Sequence, residues 1–155
     1  MNSISPLIEF IQKHHVLSLA SQGEDGPHVT PLFYAFDSKK HQFVFISDPT
    51  TRHMKEILIN PCVAAGIYLE TEKLDLIQGA QIWGSARLND TREVEQIYLK
   101  RFPMTRPILM EKPLHRFCTL DIKKSRLIDN TLNFGKKMEW SFEEGFEYGN
   151  GKCSL

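Results

Sequence analysis

The stretch Phe45-Ile46-Ser47-Asp48-Pro49-Thr50-Thr51-Arg52-His53 carries the densest chemistry in the chain. An apolar strand pattern ends at Ser47 and a helical pattern begins within a few residues. The first turn of a helix offers backbone N–H groups without intrahelical partners and the positive end of the helix dipole. Thr50, Thr51, Arg52 and His53 bring two hydroxyls, a guanidinium and an imidazole to that same turn. This set suits an anion, most simply a phosphate. The competing reading is a threonine N-cap followed by solvated side chains, and the residues alone leave the two level.

Elsewhere the chemistry-bearing residues are scattered. The six histidines show no HxH or HExxH spacing, so no metal site is expected. Cys62, Cys118 and Cys153 form no CxxC pair and are odd in number. They read as reduced thiols of a cytoplasmic protein. No glycine-rich nucleotide fingerprint is present. Catalytic residues stay unassigned, with His28 and Lys136 the only side chains to consider as acid or base. The segment from Lys123 to Lys137 holds five basic residues and one acid, and the segment from Glu139 to Glu147 holds four acids and no base. One reading is a solvated tail whose two blocks pair loosely. The other sets Lys136 and Lys137, after Phe134-Gly135, against a bound anion.

The elements that position these residues follow from periodicity and punctuation. Ser5 and Pro6 open a short helix with Leu7, Ile8, Phe10 and Ile11 on its apolar face. Strands are expected over His15–Ser21, over His28–Phe36 with Pro31 marking an edge or bulge, and over Gln42–Ser47. A helix follows with Met54, Ile57 and Leu58 as its buried stripe, stopped by Pro61. Cys62–Leu69 and Leu76–Leu88 read as strands, with Gly79 and Gly84 marking bends or close backbone approach. Asp90 and Glu93 make an acidic capping box for a helix ending near Phe102-Pro103, and Phe117–Lys124 is a last strand. About six antiparallel strands with two to four short helices between them describe a mainly β chain, a small closed or partly closed barrel with helices at its rims. One domain over residues 1–145 with a tail over 146–155 accounts for all 155 residues. Nineteen basic against nineteen acidic residues argue against binding nucleic acid by bulk phosphate neutralisation. No apolar run is long enough for a membrane span, and no signal peptide is recognisable, so a cytoplasmic location is expected.

Several of these motifs together resemble a known family. The strand leading into Thr51-Arg52-His53 and an amphipathic helix ending in Asn60-Pro61 is similar to the flavin phosphate loop of the pyridoxamine 5′-phosphate oxidase-like superfamily of FMN-binding split barrels. Pro27-His28-Val29-Thr30-Pro31-Leu32, Asn60-Pro61-Cys62-Val63-Ala64 and Gly79-Ala80-Gln81-Ile82-Trp83-Gly84 resemble three further segments of that superfamily. Arg101-Phe102-Pro103 and the run from Asp129 to Trp140 are similar to the uncharacterised YhbP-like branch.

The resemblance implies a split barrel that binds FMN. Ile46, Ser47, Thr50, Thr51, Arg52 and His53 would contact the cofactor, with His53 where the family usually has lysine. Thr30 on the second strand and Gln81, two residues beyond the position of a flavin-contacting glutamine, would join them, and Lys136 and Lys137 would approach from the C-terminal segment. It further implies a homodimer with flavin at the subunit interface and a flavin-dependent oxidoreductase acting on an unidentified small molecule. The residues that grip the vitamin phosphate have no counterparts, so pyridoxamine phosphate oxidation is not implied. Alternatives within the superfamily are a non-catalytic module for flavin storage or sensing and a haem-binding or haem-degrading split barrel.

Overall fold

The computed structural model describes residues 3–142. Its frame is a single curled sheet in which every pairing is antiparallel. The strands are β1 (Val16–Gly23), β2 (Gly26–Phe33), β3 (Ala35–Asp37), β4 (Gln42–Ser47), β5 (Cys62–Tyr68), β6 (Gln78–Leu88), β7 (Arg116–Asp129) and β8 (Lys137–Ser141). They run in the order β2-β1-β5-β6-β7-β4-β3, with β8 added to β7. The helices are α1 (Ser5–Lys13), α2 (Arg52–Ile59), α3 (Arg92–Arg101) and α4 (Thr105–Glu111). The mainly β expectation holds.

Alternation of side chains in β1, β5 and β6 decides what the sheet encloses. Leu17, Leu19, Val63, Ala65, Ile67, Ala80 and Ile82 point inward and meet Phe43 and Phe45 of β4 in the main core. Leu7, Phe10 and Ile11 of α1 and Met54 and Ile57 of α2 close that core. The Tyr34 hydroxyl donates to the Ile11 carbonyl at 2.6 Å and ties α1 to the sheet. A smaller core joins Val94, Tyr98 and Leu99 of α3 to Val44 and Phe117 on the other face of β4 and β7. β2 also packs against β4, so the two ends of the sheet approach each other.

The long outer face of β1, β5 and β6 is built differently. Ser18 pairs with Gly66, and Ala20 with Ala64; across β5, Gly66 pairs with Gln81 and Tyr68 with Gly79. These small residues make a shallow floor, and the Tyr68 ring lies across Gly66, where a Cβ would collide with it, and closely beside Gly79. Gly84 sits at the β6–β7 register shift and meets the Asp121 carbonyl so closely that a side chain would not fit.

Several local expectations are corrected. The strand expected over His28–Phe36 breaks at Tyr34 into β2 and β3. Pro31 is tolerated because β2 is an edge strand. The N-cap of α3 is Thr91, whose hydroxyl accepts from the Val94 N–H. Asp90 instead accepts from the Phe117 N–H at 2.9 Å and pairs with Arg116. Leu58 is exposed, and His53 and Glu56 are buried in its stead, because the rotation of α2 against β1 turns those two inward. Helix α4 and strand β8 are additions that local pattern did not reveal. The expectation of three reduced thiols fails at Cys62, which is disulfide-bonded, since spacing along a chain does not report which ends meet in space. Cys118 is free and buried, and burial pushes its thiol up to about 12, so it stays protonated. Cys153 and the expected tail over 146–155 lie outside the described residues. Among the described residues no helix is long and apolar enough to cross a membrane.

Candidate functional site

Helix α2 starts where β4 ends, and the loop between them is set by its own side chains. The Asp48 carboxylate accepts from the Thr50 N–H and the Thr50 hydroxyl, both at 2.8 Å, which closes the turn and holds the Asp48 carboxyl below its ordinary range. The Thr51 hydroxyl donates to the Asp48 carbonyl at 2.7 Å. Thr51 is the N-cap residue of α2 in extended conformation, yet its side chain caps none of the helix N–H groups. The first turn of α2 therefore has backbone donors without side-chain acceptors, the condition for anion binding.

Two polar clusters flank this turn. In the first, the Ser47 hydroxyl and His53 Nε2 lie 2.7 Å apart, and Thr51 Oγ1 is 3.3 Å from the same nitrogen. His53 is only 7% exposed and Ser47 only 5%. Burial, and then the neighbouring imidazole of His28, hold the His53 pKa below its ordinary value, with Glu56 opposing. His53 is therefore mainly neutral at pH 7 and acts on a ligand as a hydrogen-bonding imidazole rather than a fixed cation.

In the second cluster, Glu56, one turn further along α2, is the hub. It accepts from Arg52 Nε at 2.8 Å and from the Ser21 hydroxyl of β1 at 2.5 Å. These two bonds, Arg52 first, hold its carboxyl below the ordinary carboxylate range. Gly23 leaves room for this carboxylate; a Cβ there would meet Glu56 Oε1. His28 of β2 turns its Nδ1 toward Glu56 Oε2 at 3.7 Å, and that nitrogen is buried without a hydrogen-bond partner. The outer edge of the Arg52 guanidinium reaches the β1–β2 turn, where Nη2 donates to Asp25 Oδ1 at 3.1 Å. Arg52 and Asp25 line a cleft of about 600 Å³ between that turn and α2.

The residues expected at the site thus divide. Ser47, Thr51, Arg52 and His53 gather around the first turn of α2. Thr30 pairs with the inward-facing Leu19 and shares its face, on the strand that packs against α2 and β4. Thr50 is spent on Asp48. Ile46 faces the opposite way, against the smaller core under α3. Gln81 lies on the outer face of β6, with Oε1 3.5 Å from Arg126 Nη1. Lys136 and Lys137 are exposed at the β7–β8 turn. Ser47 pairs with Arg116 at one end of β7, and Lys137 with Ile128 near the other. The path between them along the strand is about 40 Å. The basic and acidic blocks meet in part: Arg126 Nε donates to Glu139 at 2.6 Å, and Lys124 lies 3.6 Å from it. Local pattern missed Ser21, Asp25 and Glu56. Glu56 stands four residues after Arg52, the spacing of a helical ion pair, and that was its available signal.

A mainly β curled sheet with a helix opening onto this turn places the chain among the split barrels. The family model for pyridoxamine 5′-phosphate oxidase matches residues 7–129, and the chain belongs to that family. Among its relatives is a UPF0306 protein of Yersinia enterocolitica, 33% identical over 147 residues, covering 91% of this chain and 97% of the relative. The UPF0306 protein YhbP of Escherichia coli is 31% identical over 150 residues, covering 95% and 99%. Solved structures with the same fold include a heme binding protein from Mycobacterium smegmatis, with TM-score 0.73 and 13% identity over 91% of this chain and 59% of that one. Another is a FAD-binding protein from Mesorhizobium loti, with TM-score 0.61 and 18% identity over 80% and 90%.

Proposed function

We propose that this chain is an FMN-binding split barrel of the YhbP-like branch, forming one domain over residues 1–145. It works as a flavin-dependent oxidoreductase on a small molecule. The observation that carries the reading is the uncapped first turn of α2, flanked by Ser47, Thr51, His53 and Arg52. Its donors suit a phosphate monoester, and the buried, unpartnered His28 Nδ1 adds a group in want of a partner nearby. The flavin supplies the redox chemistry when bound, and the protein's part is to hold and orient it. Thr51 and His53 would hold the phosphate with the backbone of the first turn, and Arg52 would add a fixed charge.

A homodimer with flavin at the subunit interface fits the division of the remaining residues. Gln81 lies on the outer face of β6 and Lys136 and Lys137 are exposed at the β7–β8 turn, so they would serve the site of a second copy. The outer face of small residues, together with the exposed Val29, Phe33, Tyr68, Leu74 and Leu76, offers apolar surface of the kind that obligate interfaces bury.

The test is the visible spectrum and identity of the ligand that co-purifies, followed by fluorescence titration of apo protein with FMN. Two flavin bands, and a tight one-to-one titration, support the reading. A Soret band would favour haem, the ligand of the solved Mycobacterium smegmatis heme binding protein. Flavin binding without turnover of NADH or NADPH would favour a storage or sensing module.

A further inference from the structure

Glu56 sets a carboxylate beside a turn that suits an anion, where Coulomb repulsion alone works against binding. It is nevertheless buried and closely held. Oε2 accepts from the Ser21 hydroxyl at 2.5 Å, and Oε1 accepts from Arg52 Nε at 2.8 Å. Gly23 leaves the space that Oε1 fills. The Ser21 bond runs from β1 to α2, so the sheet as well as the helix fixes the carboxylate.

Arg52 receives from this an order that its own placement does not supply. Its side chain is 48% exposed, and a long side chain in solvent samples many rotamers. Glu56 holds Nε, the guanidinium nitrogen nearest the main chain, and so restrains the plane of the whole group. Asp25 adds little restraint, because its side chain is 76% exposed and such surface pairs are weak. A guanidinium has five N–H donors. Glu56 engages the one on Nε and Asp25 one on Nη2. Both donors of Nη1 and the second of Nη2 engage no described residue, which leaves them to a ligand.

We infer that Glu56 is a positioning residue, which orders the Arg52 guanidinium before an anionic ligand arrives, so that binding does not have to freeze it. This inference rests on the flavin-phosphate reading given above. Ser21 acts through Glu56 in the same role. The charge of Glu56 opposes the anion and its hydrogen bond to Arg52 assists it, so substitution can separate the two.

The experiment titrates FMN into the apo forms of the wild type, Glu56→Gln and Glu56→Ala, read by flavin fluorescence. Glutamine keeps the shape and an oxygen acceptor for Arg52 Nε. Its amide nitrogen, in the place of Oε2, can donate to the Ser21 hydroxyl and faces the unpartnered His28 Nδ1 at 3.7 Å. Glutamine thus removes the charge alone, and alanine removes the charge and the hydrogen bond together. Glu56→Gln should bind FMN at least as tightly as the wild type. Glu56→Ala should bind it about twofold to tenfold more weakly than Glu56→Gln, the range for freezing one rotamer-rich side chain on binding. With Arg52→Ala also present, the two substitutions should give equal affinities, since no guanidinium is left to position. If Glu56→Ala does not fold, Ser21→Ala replaces it. It should weaken FMN when Arg52 is present and leave the affinity unchanged when Arg52 is alanine. Equal affinities of the glutamine and alanine variants, or a difference that persists without Arg52, overturn the role of Glu56 and leave the flavin reading standing. Failure of the wild type to bind FMN removes the flavin reading itself.

Discussion

Replacing His53 with leucine tests the electrostatic account of the site most directly. The imidazole is buried and meets the Ser47 hydroxyl at 2.7 Å. Leucine fills a similar space without a polar atom, so the change removes the hydrogen bond and leaves little cavity. Ser47 is then left with Thr51 Oγ1 at 3.4 Å, a long contact. Leaving a buried hydroxyl poorly paired costs about 1 to 3 kcal/mol. Each kcal/mol moves the melting temperature of a chain of this size by about 2 to 4 °C, so His53→Leu should melt between about 2 and 12 °C lower at pH 7.5. The pH dependence has a definite sign. The folded-state pKa of His53 is held below 6.5 by burial and by His28, so the unfolded chain takes up a proton first as pH falls. The wild type therefore loses stability as pH falls from about 6.5 through the lower folded value, and the leucine variant lacks that loss. His28 and Glu56, which face His53 from β2 and from α2, remain in both proteins. Thermal melts at pH 7.5 and 5.5 should show the gap between the two proteins narrowing at the lower pH. A constant gap would mean that folding leaves the His53 pKa unmoved, a widening one that the fold favours the charged imidazole, and either would make the account of a neutral His53 wrong.

Three further outcomes are expected. Arg52→Ala should weaken FMN by at least about tenfold, read by flavin fluorescence, since truncating one partner of a charge-assisted contact typically costs about 2 to 5 kcal/mol. It should also lower the melting temperature, because the arginine is the partner of the buried Glu56. If Lys136 or Lys137 approaches the flavin of a second copy, replacing it with methionine should lower the flavin midpoint potential by about 30 mV, measured by dye equilibration; unchanged potentials in both variants would return the lysines to the solvent. Light scattering at micromolar concentration should give twice the chain mass, and a monomer would contradict the split site.

How much of this was legible in the chain depends on the range over which each cause acts. The strand over Gln42–Ser47, the helix after Thr51 and the strand opening at Cys62 came from local patterns and fell within a residue or two of the observed elements. The polar cluster at the start of α2 was legible for the same reason: Thr51, Arg52 and His53 are neighbours in sequence, and a helix start is a local event. Pro31 announced an edge or a bulge because a missing N–H is poorly tolerated elsewhere in a sheet, and the fold made it an edge. What local pattern does not encode is which face of α2 turns inward. Packing against β1 buries His53 and Glu56 and leaves Leu58 in solvent. That rotation sets the pKa of His53, pairs Glu56 with Ser21 from 35 residues away and draws Asp25 to Arg52. The distance between Lys137 and Ser47 was equally beyond reach, since it depends on β7 pairing with β4 at one end and β8 at the other. The sequence by itself determined the kinds of element and the chemistry at the start of α2. The tertiary structure decided which of those groups are buried, which are charged and which belong to the same site, because desolvation and ion pairing arise between segments that only folding brings together.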